Sequence, residues 1–183
     1  MKRWIKWAIA GVGLTAATAL FVVPKAATSA LAVGAAAPDF TTRGAIGGKV
    51  FTLTLSDQLR KGPVVLYFFP AAFTPGCTAE AHEFAEATDE FRAAGATVIG
   101  MSADPVDKLA KFSVEECRGK FAVASAGPAI IKGYDVALPV GGMTNRTSYV
   151  IAPTGRIAYV HSAMNYKDHV KNTLAAVRAM KAE

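Results

Sequence analysis

An α/β domain built on a mixed central sheet flanked by helices is what this sequence predicts, and three observations carry the prediction. Residues 64–69 are a continuous apolar run of strand length, the pattern of a strand buried on both faces, and residues 96–101 read as a second buried strand. Between them the apolar residues take helical spacing, and two strands joined by a crossover helix run parallel. Near the C-terminus two short strand-like segments flank Ala152-Pro153-Thr154-Gly155, a turn signal that makes an antiparallel hairpin.

The elements follow in chain order. Lys2, Arg3 and Lys6 form a cationic start, residues 7–23 have no polar face, and Ala30-Leu31-Ala32 offers the small residues that a signal peptidase requires. Residues 1–32 therefore read as an export signal. An uncleaved membrane anchor is the alternative, with Trp4 and Trp7 suited to the interface. Either way the domain, residues 33–183, is expected outside the cytoplasm, in a periplasm-like compartment that permits disulfides.

Residues 33–38 read as a linker. Phe51, Leu53 and Leu55 alternate with Thr52, Thr54 and Ser56, which predicts a half-buried strand. Gly62-Pro63 punctuates the chain ahead of the 64–69 strand. Residues 75–94 suit a helix with Ala81, Phe84, Ala85 and Phe91 inward and Glu83, Glu86, Asp89 and Glu90 outward, and Gly95 ends it. Pro105 opens a second helix reaching about Arg118. Residues 147–151 and 156–160 are the hairpin strands, and a last helix from about Tyr166 carries Val170, Leu174, Val177 and Met180 on one face. The order β-α-β-α, a short segment, then β-β-α is the thioredoxin arrangement.

Charge excludes one class of partner. Lys2, Arg3, Lys6 and Lys25 lie in the first 32 residues, which contain no acid. Taking those four from the 20 Lys+Arg leaves 16 against 14 Asp+Glu in the domain, whereas the whole chain carries +6. A near-neutral domain with no basic stripe interleaved with aromatics is not a nucleic-acid binder.

Chemistry concentrates in Pro70-Ala71-Ala72-Phe73-Thr74-Pro75-Gly76-Cys77, between the first buried strand and its helix. Thr74 is a good N-cap residue and Pro75 suits the first helical position. Cys77 then falls in the first turn, where unpaired backbone N–H groups and the positive helix end favour an anionic sulfur. A cysteine so placed is a candidate nucleophile; the plainer alternative is a small buried hydrophobe.

The spacing of Pro70, Thr74 and Cys77 resembles the active-site signature of the peroxiredoxins. Two distant segments add to it: residues 34–40, with Pro38, Asp39 and Phe40, resemble that family's opening motif, and residues 146–151, led by Arg146, resemble its distal arginine strand. The resemblance is closest to the Q-type (bacterioferritin-comigratory) members. It implies a thiol-dependent peroxidase that reduces hydrogen peroxide or organic hydroperoxides without metal, flavin or haem. In that reading Cys77 is oxidised to a sulfenic acid, and Arg146 supplies the cation and a donor to the breaking O–O bond. Thr74 hydrogen-bonds a peroxide oxygen or the sulfur, Pro70 shields the sulfur, and Glu80 holds the arginine. Cys117, 40 positions after Cys77, is the candidate resolving cysteine, closing an intramolecular disulfide. Many Q-type members place that cysteine five residues after the nucleophile, where this chain has His82, and others about one turn ahead of Cys117. The implied reductant is a thioredoxin-like protein or a small thiol. The resemblance also implies a monomer, touching a membrane only through an uncleaved N-terminal segment.

Simpler readings stand beside each role. For Arg146 the plain alternative is a surface charge and for Thr74 a helix cap alone, both ranked behind the active-site role, whereas a solvated first-turn acid favoured by the helix dipole explains Glu80 nearly as well. Cys117 without redox duty would leave a one-cysteine peroxidase. A thiol–disulfide oxidoreductase of the same fold uses Cys-x-x-Cys at this helix start, and here the first of those positions is Thr74. His82, His161 and His169 lack ligand spacing with a second cysteine and read as surface or structural histidines, not metal ligands.

Overall fold

The computed structural model describes residues 30–139 and 141–181, so the expected export segment lies outside the described residues up to Ala30. Among the described residues no helix is long and apolar enough to cross a membrane. The elements are β1 (Thr41–Ile46), β2 (Lys49–Thr54), α1 (Leu55–Leu59), β3 (Val64–Phe68), α2 (Pro75–Ala93), β4 (Thr97–Ser102) and α3 (Val106–Glu115). They continue with β5 (Ala122–Ser125), α4 (Pro128–Gly133), β6 (Thr147–Ile151), β7 (Ile157–Ser162) and α5 (His169–Lys181). Seven strands form one sheet in the order β2-β1-β5-β4-β3-β6-β7. β3, β4 and β5 are parallel; β6 runs antiparallel to β3, β7 to β6, and β1 to both β2 and β5. This is the mixed, thioredoxin-like sheet that the sequence predicts.

Strand β3 shows why its sequence is apolar throughout. Val65, Tyr67 and Phe69 face one core and Val64, Leu66 and Phe68 the other, because successive side chains alternate across the sheet. Helices α2, α3 and α5 cover the first core with Phe84, Phe91, Leu109, Phe112, Leu174 and Val177. Helices α1 and α4 cover the second with Leu55, Leu59 and Ile131. Gly100 of β4 has a packing reason: a Cβ there would lie 2.8 Å from both Cζ and Oη of Tyr67.

Four expectations are corrected. Residues 33–38 are no free linker: the N–H groups of Gly34 and Ala37 donate to the carbonyls of Ile157 and Gly155, each at 2.8 Å, tying the segment beside β7. The strand expected through Leu55 stops at Thr54, because Asp39 Oδ1 accepts from the N–H of Ser56 at 3.0 Å and turns the chain into α1. The helix expected to reach Arg118 ends at Glu115, since Arg118 and Gly119 adopt φ of 52° and 66°, outside helical space. The last helix begins at His169, three residues late, and brings His169 and Thr173 to its buried face alongside Leu174 and Val177. β1, α1, β5 and α4 have no counterpart in the sequence reading; all are six residues or shorter.

Candidate active site

The site is assembled where β3 leaves the sheet. Phe69 keeps its N–H on Met101 O at 2.9 Å, and its carbonyl accepts from the buried Thr144 hydroxyl at 2.7 Å. Pro70 follows, half-buried. The N–H of Ala72 donates to Asp104 Oδ2 at 2.7 Å, and Asp104 also accepts from Ser102 Oγ at 2.8 Å and Lys108 Nζ at 2.7 Å. Burial pushes the Asp104 carboxyl up, but its donors, Lys108 first, outweigh that and hold it below its ordinary value. Phe73 takes the left-handed φ of 67°, which costs a non-glycine residue roughly 1–2 kcal/mol and aims the chain into α2. Asp104 and Thr144 thus pin both ends of a strained loop.

Thr74 is the N-cap of α2, yet its hydroxyl does not cap; it donates to Ala71 O at 2.9 Å. Cys77 sits in the first turn and is buried. Arg146, immediately ahead of β6 and only 5% exposed, gathers the site. Its Nη2 donates to Cys77 Sγ at 3.4 Å, its Nε to Met164 O at 3.0 Å, and its Nη1 to Glu80 Oε2. Glu80, one turn beyond Cys77, is 0% exposed. Burial drives its carboxyl up to about 8, against the opposing pull of Arg146. Glu80 is therefore no solvated acid, and Arg146 no surface charge.

His169, which the sequence reading gives as a surface or structural histidine, is a buried structural one that borders the site. It is fully buried, and its Nε2 lies 2.9 Å from Ala163 O, which can only accept. Nε2 therefore carries the proton, and Nδ1 accepts from Ser148 Oγ at 2.8 Å. Burial lowers the ring to about 4, keeping it neutral. His169 fixes the 163–164 turn that offers Met164 O to Arg146, and Ala163 N–H returns to Arg146 O at 3.1 Å. Its position at the start of an amphipathic helix resembles that of any capping polar residue, so the only signal was its place in the inward stripe.

Cys77, Glu80 and Arg146 thus meet, with Pro70 and Thr74 on the loop that leads into the helix of Cys77, while Cys117 lies on a separate turn. It lies in the turn after α3, fully buried in the same apolar cluster as Cys77, and both thiols are free. Burial pushes the Cys117 thiol far above its ordinary value. A hydrogen bond and two ion pairs hold the turn to the outer face of α2: His82–Glu116 at 2.7 Å, Glu86–Arg118 at 3.4 Å and Asp89–Lys120 at 3.5 Å. Of the other histidines, His161 packs its ring edge against His169, centroids 4.5 Å apart.

A thioredoxin-like fold with a buried cysteine at a helix start, under a guanidinium, defines a thiol-based redox enzyme. Residues 33–160 match the AhpC/TSA family, and the chain belongs to it, among the peroxiredoxins, which are thiol peroxidases. It is 32% identical over 149 residues to a chloroplast peroxiredoxin Q of Oryza sativa subsp. japonica, across 80% of this chain and 67% of that one. The crystal structure of the peroxidoxin BcpB from Mycobacterium tuberculosis superposes with a TM-score of 0.73 at 33% identity, covering 81% of this chain and 97% of that one. A PrxQ variant from Xylella fastidiosa gives 0.73 at 27% identity, covering 84% and 98%.

Proposed function

We propose that the domain reduces hydrogen peroxide and organic hydroperoxides through Cys77. The anionic sulfur attacks one peroxide oxygen in line and keeps it as sulfenic acid, while the other oxygen leaves as hydroxide or alkoxide and takes up a proton. The observation that carries this reading is the hydrogen bond from Arg146 Nη2 to Cys77 Sγ at 3.4 Å, made in a buried setting. A guanidinium there favours negative sulfur and presents donors to the breaking O–O bond. Thr74 Oγ1, having donated to Ala71 O, keeps its lone pairs for a peroxide O–H. Pro70, half-buried where the loop leaves β3, has the shielding role that the family likeness implies, and Glu80 steadies Arg146. Cys77→Ser is expected to abolish peroxide consumption by the purified protein; a wild type no faster than that variant would overturn the assignment.

Cys117 resolves the sulfenic acid in this reading, its sulfur displacing water to form a disulfide with Cys77. A disulfide needs Cα atoms within about 7 Å, and both thiols start buried, so the 116–120 turn must detach first. The pairing of His82 with Glu116 supports the assignment, because it sets the Cys117 turn against α2 only five residues beyond Cys77. The full burial of Cys117 favours the rival, a one-cysteine enzyme reduced directly by an outside thiol. Mass spectrometry after one equivalent of peroxide separates the two: a Cys77–Cys117 bond is expected, and lasting sulfenic acid alone would assign Cys117 no redox part. A thioredoxin-like protein or small thiol then restores the enzyme.

The cationic, apolar start of the chain supports export from the cytoplasm, with cleavage favoured over anchoring. Ala30 and Leu31 already pack against the domain, and Leu31 N–H donates to Tyr149 Oη at 3.0 Å. Mass analysis of the exported protein locates the cleavage site, and sedimentation tests the monomer that the Q-type likeness implies.

A further inference from the structure

Among the described residues two buried side-chain polar atoms have no hydrogen-bond partner, Tyr67 Oη and Glu80 Oε1. The second is the more demanding, because a carboxylate oxygen in a dry site normally collects donors. Its nearest basic neighbour is His169 Nδ1 at 3.7 Å. That nitrogen is an acceptor, since Nε2 carries the ring proton for Ala163 O. Two acceptors therefore face one another across a fully buried gap, and because the single lone pair of Nδ1 takes the Ser148 hydroxyl at 2.8 Å, a proton between them requires that hydroxyl to turn away as the carboxyl rotates toward the ring.

We propose that Glu80 Oε1 and His169 Nδ1 hold one proton between them while Cys77 is reduced, and release it when the sulfur loses its charge. The inference rests on the reading of Cys77 as an anionic nucleophile. Charge counting supports it. Arg146 supplies one positive charge; an anionic Cys77 and an ionised Glu80 supply two negative ones, leaving a net charge in a site from which Glu80 is wholly excluded from water. Burying an uncompensated charge is far costlier than burying a neutral set, and one proton on the pair restores neutrality.

The surroundings compensate only in part: the first turn of α2 favours the charge on sulfur, and Lys167 acts on Glu83 toward solvent, but neither donates to Glu80 Oε1. From β3 comes the Tyr67 phenol, raised well above its ordinary value by burial and so neutral. His161 of β7 touches the His169 ring, and Asp168 precedes it in the chain. Glu83 of α2 and Asp168 are negative and lie toward solvent, so they only reinforce the need for a proton. The directions found for the two partners agree: burial raises the Glu80 carboxyl and lowers the His169 ring, which leaves one proton on the pair, on the carboxyl side, at neutral pH.

The chemistry then balances within the cluster. Thiolate, hydroperoxide and the stored proton give sulfenic acid and water or alcohol. The S–O bond forms as the O–O bond breaks, sulfur is oxidised by two electrons, and the peroxide is reduced by two. The pair gives its proton to solvent as Arg146 turns from the sulfur's charge to that of Glu80, and the leaving oxygen takes one from solvent. Net proton uptake is zero. Glu80 and His169 act here through Arg146, as positioning residues.

The test uses the reduced full-length enzyme near pH 7. Ultraviolet thiolate absorption reports Cys77, the infrared stretch of a protonated carboxyl reports Glu80, and an indicator dye in weak buffer counts protons during oxidation by hydrogen peroxide. The expected result is a thiolate, a protonated-carboxyl band and no net proton uptake. Glu80→Gln should abolish the band and raise uptake to one proton per sulfenic acid formed. His169→Gln, which can donate to the carboxylate, should shift the band's titration to lower pH while the protein stays folded. A thiolate with no carboxyl band, and one proton taken up by the wild type, overturns the proposal and leaves the peroxidase reading intact. A protonated sulfur in the reduced enzyme removes the anionic nucleophile itself and the proposal with it.

Discussion

Freeing the Cys117 turn from α2 should make that cysteine react faster, by an amount the ion pairs set. The perturbation is the double substitution Glu86→Gln, Asp89→Asn in a Cys77→Ser background, so that Cys117 is the only thiol. Both acids lie on the outer face of α2 and touch none of the active-site groups. The contacts they make are modest. The Glu86–Arg118 pair is 67% and 49% exposed, and the Asp89–Lys120 pair 68% and 47%, so each contributes only about 0.2–1 kcal/mol after screening. Losing both lowers the cost of opening by roughly 1 kcal/mol, and because 1.4 kcal/mol corresponds to a factor of ten, the open population rises about fivefold. Alkylation of native protein by iodoacetamide, followed by mass spectrometry, reads that population directly when closing is fast. Raising salt should speed the unsubstituted turn more than the double variant, in which the two exposed pairs are gone and only His82–Glu116 still ties the turn to α2. Equal alkylation rates in the two proteins, or equal salt responses, would show that apolar burial alone holds Cys117 and that the ion pairs contribute nothing.

Two further outcomes concern stability. The His169 ring is depressed to about 4, so its stabilising effect is present above an unfolded value near 6.5 and is lost as pH falls toward 4. That acid arm amounts to about 3 kcal/mol. The Glu80 carboxyl is raised to about 8, and the sign reverses: its contribution is present below about 4.5 and is lost as pH climbs through 8. Urea unfolding across that range should give greatest stability on the acid side of neutrality. His169→Gln should flatten the acid arm and Glu80→Gln the alkaline one; arms that survive both substitutions refute the assignment. Separately, Gly100→Ala should destabilise by about 1–3 kcal/mol, because its methyl group meets Tyr67 Cζ and Oη at 2.8 Å. Thermal denaturation of Gly100→Ala and of Gly100→Ala with Tyr67→Phe checks it, the second recovering part of the loss.

The sequence revealed the elements whose chemistry is local. β3 is legible because both of its faces are buried, and α2 because its start combines an N-cap, a proline and an alternation of alanines and phenylalanines against acids. β5 is not, since a four-residue strand of Ala122, Val123, Ala124 and Ser125 carries neither bulk nor a clear period. The same division runs through the site. Cys77, Thr74 and Pro70 share one loop, so their spacing speaks for itself, whereas Asp104 acts through a backbone N–H 32 residues away. No local pattern marks such a residue.

Glu80 and His169 show the limit most clearly. In the sequence Glu80 is an acid in the first turns of a helix, a place that ordinary helix electrostatics explains. Its meaning changes only when β6 carries Arg146 and α5 carries His169 onto the same side of α2, 66 and 89 positions later in the chain. Packing of α5 against α2, β6 and β7 removes water from that meeting point. Without water, each added charge must be balanced by a neighbour, and the protonation of one group becomes a property of all four. That neighbourhood exists only in three dimensions: the sequence supplies the groups, and the dry interface between helix and sheet brings them together.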